Sequence, residues 1–132
     1  MATYNKFTPA IESLFEGGNA GSDTWVIKLA TAVNQAAGSI TEVANGNGYT
    51  TGGNGATVST SSQTSGTFKL VLNSPTAWTA TGAGFSFQYA VLTNSTTSTN
   101  VAYWDYGSSQ AVAAGETVTV TLDGSNGVFQ AT

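Results

Sequence analysis

From Thr24 onward, apolar residues recur at every second position in short runs, and clusters of Gly, Asn, Ser and Pro separate the runs. A repeat of two places alternate side chains on opposite sides of an extended backbone, so one side can be buried while the other meets water. Trp25, Ile27 and Leu29 alternate in this way with Val26, Lys28 and Ala30. The spacing returns in Ala56, Val58 and Thr60, in Phe68, Leu70 and Leu72, and in Phe85, Phe87, Tyr89 and Val91. It returns again in Val101 and Tyr103, opposite Trp104 and Tyr106, and in Val118, Val120 and Leu122. Shorter runs surround Ile40 to Ala44, Trp78, and Val128 with Phe129. Turn-forming residues fill the gaps, as in Asn73-Ser74-Pro75, Gly82-Ala83-Gly84 and Asp123-Gly124-Ser125-Asn126-Gly127. About eight short strands at such spacing predict a mainly β chain, an antiparallel β-sandwich or jelly roll. The composition agrees. Charged residues make up only 8%, about a third of the usual share, and the Thr and Val that fill the chain suit a pleated surface better than a helix.

One helix signal stands apart, near the start. Thr8 is a possible N-cap, Pro9 suits a first turn, and Phe7, Ile11, Leu14 and Phe15 fall at four- and three-residue spacings before Gly17 and Gly18. The division expected is an N-terminal arm with a short helix over residues 1–22 and a β-sandwich over 23–132, one domain overall. A helix of about two turns is marginal alone, so its apolar stripe needs cover from its own domain or a neighbouring chain. Because the segment lies outside the repeat of two, removal of residues 1–16 is expected to leave the sandwich folded. Phe7, Ile11, Leu14 and Phe15 are therefore candidate protein-interface residues.

Charge excludes several function classes. Lys6, Lys28 and Lys69 are the only cations against seven carboxylates, a net charge of −4. Such a chain cannot neutralise a run of phosphates, so no nucleic-acid partner is expected. It has no polybasic patch for an anionic membrane surface and no apolar run long enough to span a bilayer, so no membrane partner is expected and the chain reads as soluble. The opening MATYNKFTPA lacks the basic and apolar regions of a signal peptide. With no cysteine and no histidine, disulfides, thiolate metal sites, thiol catalysis and the commonest general base are all missing, and no cofactor or metal is expected.

The remaining candidate sites each have a plain alternative. GNGYTTGGNG, residues 46–55, looks like a phosphate cradle, but its glycines miss the dinucleotide spacing, no Lys-Ser or Lys-Thr follows, and the next residues alternate like a strand. It reads as a connection in which glycine supplies positive φ, with Tyr49 as a candidate contact residue on an exposed loop. Asp123 to Gly127 resembles half of a calcium loop but lacks the distal Glu, and a hairpin turn between Leu122 and Val128 is the favoured reading. A pair drawn from Glu12, Glu16, Asp23, Glu42, Asp105, Glu116 and Asp123 could serve a hydrolase, Asp105 being the one expected to be part-buried. Trp25, Trp78, Trp104, Tyr103 and Tyr106 could stack on sugars. Core packing is the simpler reading for Trp25 and Trp104, whereas Trp78, in a Pro- and Thr-rich stretch, is kept as a candidate interface residue.

Gly46-Asn47-Gly48-Tyr49-Thr50 with Gly52-Gly53, then Tyr89-Ala90-Val91-Leu92, Trp104-Asp105-Tyr106-Gly107, Gly115-Glu116-Thr117 and Gly127-Val128 run in a characteristic order. In that order and spacing the chain resembles a group of small structural proteins of tailed bacteriophages, from about Asp23 to Val128. The resemblance implies a non-enzymatic virion component, a capsid decoration (cement) protein made in the host cytoplasm. It would bind the outer surface of the major capsid protein shell, with a homotrimer as the expected oligomer. It carries over no catalytic residues. The alternative expectation is a tail or fibre module that binds host glycans through Tyr49, Trp78 and the Thr-rich loops.

Overall fold

The computed structural model describes residues 2–131, apart from the side chain of Phe15. In chain order the elements are β1 (Thr3–Lys6), α1 (Ala10–Glu16), β2 (Trp25–Asn34), β3 (Ser39–Glu42), β4 (Asn54–Gly55) and β5 (Val58–Thr64). They continue with β6 (Thr67–Leu72), β7 (Trp78–Thr79), β8 (Phe85–Asn94), β9 (Thr99–Val112), β10 (Thr117–Val118) and β11 (Phe129–Ala131). The main sheet runs β1-β9-β8-β2-β3, with β4 also beside β2. A second sheet runs β11-β6-β5, and β7 pairs with β10 in a short ribbon. All pairings are antiparallel. The expected sandwich architecture is therefore present.

The alternation of β2 becomes rows across the main sheet, but a register shift between Phe87 and Tyr89 turns β8 over, so that Ala90 and Leu92, and not Tyr89 and Val91, join the face of Ile27 and Leu29. Tyr4, Trp104, Ala90 and Leu29 stand side by side on β1, β9, β8 and β2, and Lys6, Ala102, Leu92 and Ile27 form the next row. Successive rows of this parity share one face, and Ile27, Leu29, Ala90, Leu92 and Ala102 on it are fully buried. Leu70 and Leu72 of the second sheet are buried in the same core. Trp25 links the layers, its ring 6.1 Å from that of Phe129 on β11. Burial of each large apolar side chain stabilises the fold by about 1.5–3 kcal/mol, which is why the β-rich interior needs no covalent staple.

Two expectations about the N-terminal segment are corrected. The segment expected as an arm is not separate: within it, β1 is the edge strand of the main sheet, in register with β9 from Thr3↔Asp105 to Lys6↔Ala102. TYNK lacks an alternating apolar signal, and its strand forms because β9 offers a ladder of unpaired backbone groups. The helix begins later than expected. Pro9 occupies the N-cap without a side-chain hydrogen bond, while the Thr8 N–H is taken by the Gln35 carbonyl at 2.9 Å. Phe7, outside the helix, is fully buried and packs on Tyr103 with ring centroids 5.0 Å apart. α1 lies across this end of the sandwich, tied to β9 through a 2.9 Å contact between the Ser13 and Thr99 hydroxyls.

Among the described residues the strands number eleven rather than about eight. The surplus comes from β1, which carries no pattern, and from strands of two residues such as β4. The polar tract Ser59 to Gly66 forms a solvated strand and hairpin: β5 is exposed along nearly its whole length, and Ser65 and Gly66 turn with φ of 52° and 84°.

Candidate functional site

The glycine-rich stretch folds into the interior instead of opening toward a ligand. Asn47 and Gly48 both have positive φ, 54° and 95°, and form the two-residue turn that joins Gly46 to Tyr49, the geometry that Asn-Gly favours in hairpins. Gly48 sits so close to the Thr79 carbonyl oxygen that a Cβ there would lie 2.1 Å away, and a Cβ on Gly53 would lie 2.0 Å from the Ile27 carbonyl oxygen. Both glycines are needed for backbone to meet backbone.

This close approach drives Tyr49 inward, leaving 2% of it exposed. Its ring lies nearly parallel to Trp78, with centroids 6.3 Å apart, and tilts against Phe85 at 6.1 Å. Along β2, the partner strand on one side changes from β4 to β3, and Leu29 stands in the gap. Its carbonyl accepts from the Val43 N–H at 2.9 Å, but its own N–H donates to the Tyr49 hydroxyl at 3.1 Å. The hydroxyl passes its proton toward Glu42 Oε1 at 2.6 Å, and the same oxygen accepts from the Gly52 N–H, also at 2.6 Å. Tyr49 thus closes a break in the ladder that would leave a buried donor unpaired. Desolvation first, and then the bond to Glu42, push its phenol well above the ordinary range.

Tyr49 is therefore corrected from an exposed contact residue to a core plug. Trp78 is corrected likewise: it is 3% exposed, and its indole Nε1 is buried with no hydrogen-bond partner among the described residues. Phe7 joins them in the interior. The alternating neighbours of these residues gave no sign of this, because the loop's inward course is set by contacts at Gly48 and Gly53 with strands remote in sequence.

Five of the seven carboxylates accept from backbone N–H groups. Asp123 accepts from the N–H groups of Ser125 and Asn126, each at 2.8 Å, and these bonds hold its carboxyl below the usual carboxylate range. The half calcium loop is thus a self-capped turn. Asp105, partly buried as expected, accepts from Gln88 Nε2 at 3.1 Å and from the Gly107 N–H at 2.8 Å. Asp23 bonds the Asn19 N–H and the buried Asn94 side chain, at 2.8 and 2.7 Å, and Glu116 accepts from the Ala113 N–H at 2.7 Å. Among the described residues no group of three or more carboxylates is placed to hold a metal ion.

Of the six candidate interface residues, Ile11 and Leu14 remain at a surface, and the Phe15 side chain lies outside the described residues. Ile11 is 45% exposed. With Leu14 it borders a cavity of about 490 Å³ at the mouth of the sandwich, where the edge strand β1 and the second sheet diverge. Tyr4 and Lys6 form one wall, Phe68 and Phe129 the other, and Ser61 and Gln130 lie on the rim. Tyr4 keeps 38% of its surface exposed, yet partial burial beside Trp104 pushes its phenol up to about 12. Sequence reasoning missed Tyr4 and Lys6 because it placed them in an arm. The signal that finds them is their shared parity on a strand, visible once β1 is paired. No family model matches the chain, and no curated protein or solved structure matches it.

Proposed function

We propose that this chain is a non-enzymatic structural component of a tailed-phage particle, a capsid decoration protein that binds the outer face of the major shell protein and stabilises it, as a homotrimer. The observation that carries the non-enzymatic part is the use of the carboxylates. Glu42, Asp23, Asp105, Glu116 and Asp123 all accept hydrogen bonds from backbone N–H groups of nearby turns. Side chains spent in this way stiffen connections; a general acid or base needs instead to face a substrate. The resemblance to small phage structural proteins supports the location, and the scarcity of cations suits a surface packed beside many copies without contact to the genome.

The glycan-binding alternative loses its two residues, because Tyr49 and Trp78 stack on each other inside the fold. Quantitative mass spectrometry of purified particles tests the leading reading. Copies comparable in number to the shell protein are expected, and a few copies per particle, or none, would overturn it.

A further inference from the structure

The mouth of the sandwich combines an apolar groove with an open strand edge. The Phe7 N–H donates to the Val101 carbonyl at 3.0 Å, so by the alternation of an antiparallel ladder Asn5 and Thr3 also bond toward β9, while Tyr4 and Lys6 turn their backbone groups outward. Gln35 Nε2 caps the Lys6 carbonyl at 2.7 Å. The Tyr4 N–H and C=O and the Lys6 N–H are left facing the open side. On the same strand the Tyr4 and Lys6 side chains point into the groove, and Lys6 is the only charged residue among those lining it.

We propose that this mouth receives an extended peptide segment of another protein, which adds to β1 as a further strand and carries apolar side chains beside a carboxylate. An edge strand supplies register-fixing backbone bonds, and a flanking pocket reads alternate side chains of the added strand. Alternate residues would enter between Ile11 and Leu14 on one side and Phe68 and Phe129 on the other, and a carboxylate would meet Lys6. The strand edge selects a polypeptide over an acyl chain, and the lone cation selects an acidic one. The edge of β5 is longer, but five of its seven residues are exposed Ser or Thr, with little apolar surface to cover. The inference concerns the isolated protein, so its absence from particles would leave it standing, and its failure would leave the copy number untouched.

Selection of a random-peptide library on the immobilised full chain tests it, with Ile11→Asp and Lys6→Glu as comparison variants. Both positions are exposed, so the fold is expected to persist, and circular dichroism checks this. Enriched peptides should alternate apolar residues and contain Asp or Glu, should bind each variant roughly ten-fold more weakly, and should slow hydrogen exchange at the Tyr4 amide. Failure to enrich any peptide, equal binding to the variants, or unchanged exchange at Tyr4 would overturn the proposal. So would decanoate shifting the Ile11 and Leu14 methyl resonances where the acidic peptides do not, which would mark an acyl site.

Discussion

The glycine-rich loop and the N-terminal segment both look like appendages in the sequence, and the fold attaches them in opposite ways. The loop is fixed by what it inserts: Tyr49 fills the core, and Gly48 and Gly53 press their backbones onto neighbouring strands. The N-terminal segment is fixed by what it borders: β1 pairs along one edge and Phe7 anchors its end, while Tyr4 and Ile11 stay open to solvent. An insertion consumes its side chains in stability. An edge attachment leaves one side available for a partner.

Adjacent glycines break the comparison most sharply. Gly53→Ala would drive a Cβ into the Ile27 carbonyl and should cost more than about 4 kcal/mol, in the range reserved for severe defects. Gly52→Ala meets nothing within 4 Å and should cost about 1–2 kcal/mol, for its positive φ alone. Urea midpoints of the two variants measure the difference, and equal losses would show that the loop is not pressed onto β2.

The N-terminal segment has its own contrast. Phe7→Ala should cost about 3–4 kcal/mol, through loss of buried ring contacts and the space left behind. Ile11→Ala should cost less than about 0.5 kcal/mol, as for an exposed site. On the same grounds a chain lacking residues 1–16 should melt well below the intact protein or fail to fold, contrary to the sequence-based expectation, and calorimetry decides this. A truncated chain with unchanged melting would restore the detachable arm.

Removal of a single oxygen probes the plug. Tyr49→Phe keeps the ring but leaves the Leu29 N–H without its acceptor, and should cost about 1–3 kcal/mol. The phenol is raised in the folded protein above its unfolded value of 10.0, so its contribution is present below pH 10 and lost as pH rises beyond it. The substitution should therefore flatten part of the alkaline fall in stability.

The smallest effect belongs to Asp123. Its carboxyl is lowered from 3.8 in the folded protein, so it contributes above that pH and less as pH falls below it toward the folded value. The difference in urea midpoint between the intact chain and Asp123→Asn should shrink between pH 5 and pH 2.5. A difference independent of pH would show that the turn does not depend on the ionised form.

The β-rich architecture was legible because burial of one sheet face imposes the repeat of two, as along Trp25, Ile27 and Leu29. β1 was not, because an exposed edge strand is held by backbone bonds that leave no apolar rhythm in Thr-Tyr-Asn-Lys. Tyr49 was misread for a related reason: turn residues reveal that the chain reverses, whereas its inward aim depends on steric room at Gly48 and Gly53. Of the groove, only Ile11 and Leu14 were legible. Its other walls come from strands that adjoin through pairing.

The partnership of β1 with β9 also orders events at the ribosome. Thr3 pairs with Asp105 and Trp25 with Asn94, so β1 and β2 must wait for strands made much later before their sheet can close. Contacts this distant along the chain slow assembly, and β1 finds its place only once β9 has been made. Any translational pause before β9 emerges prolongs that wait.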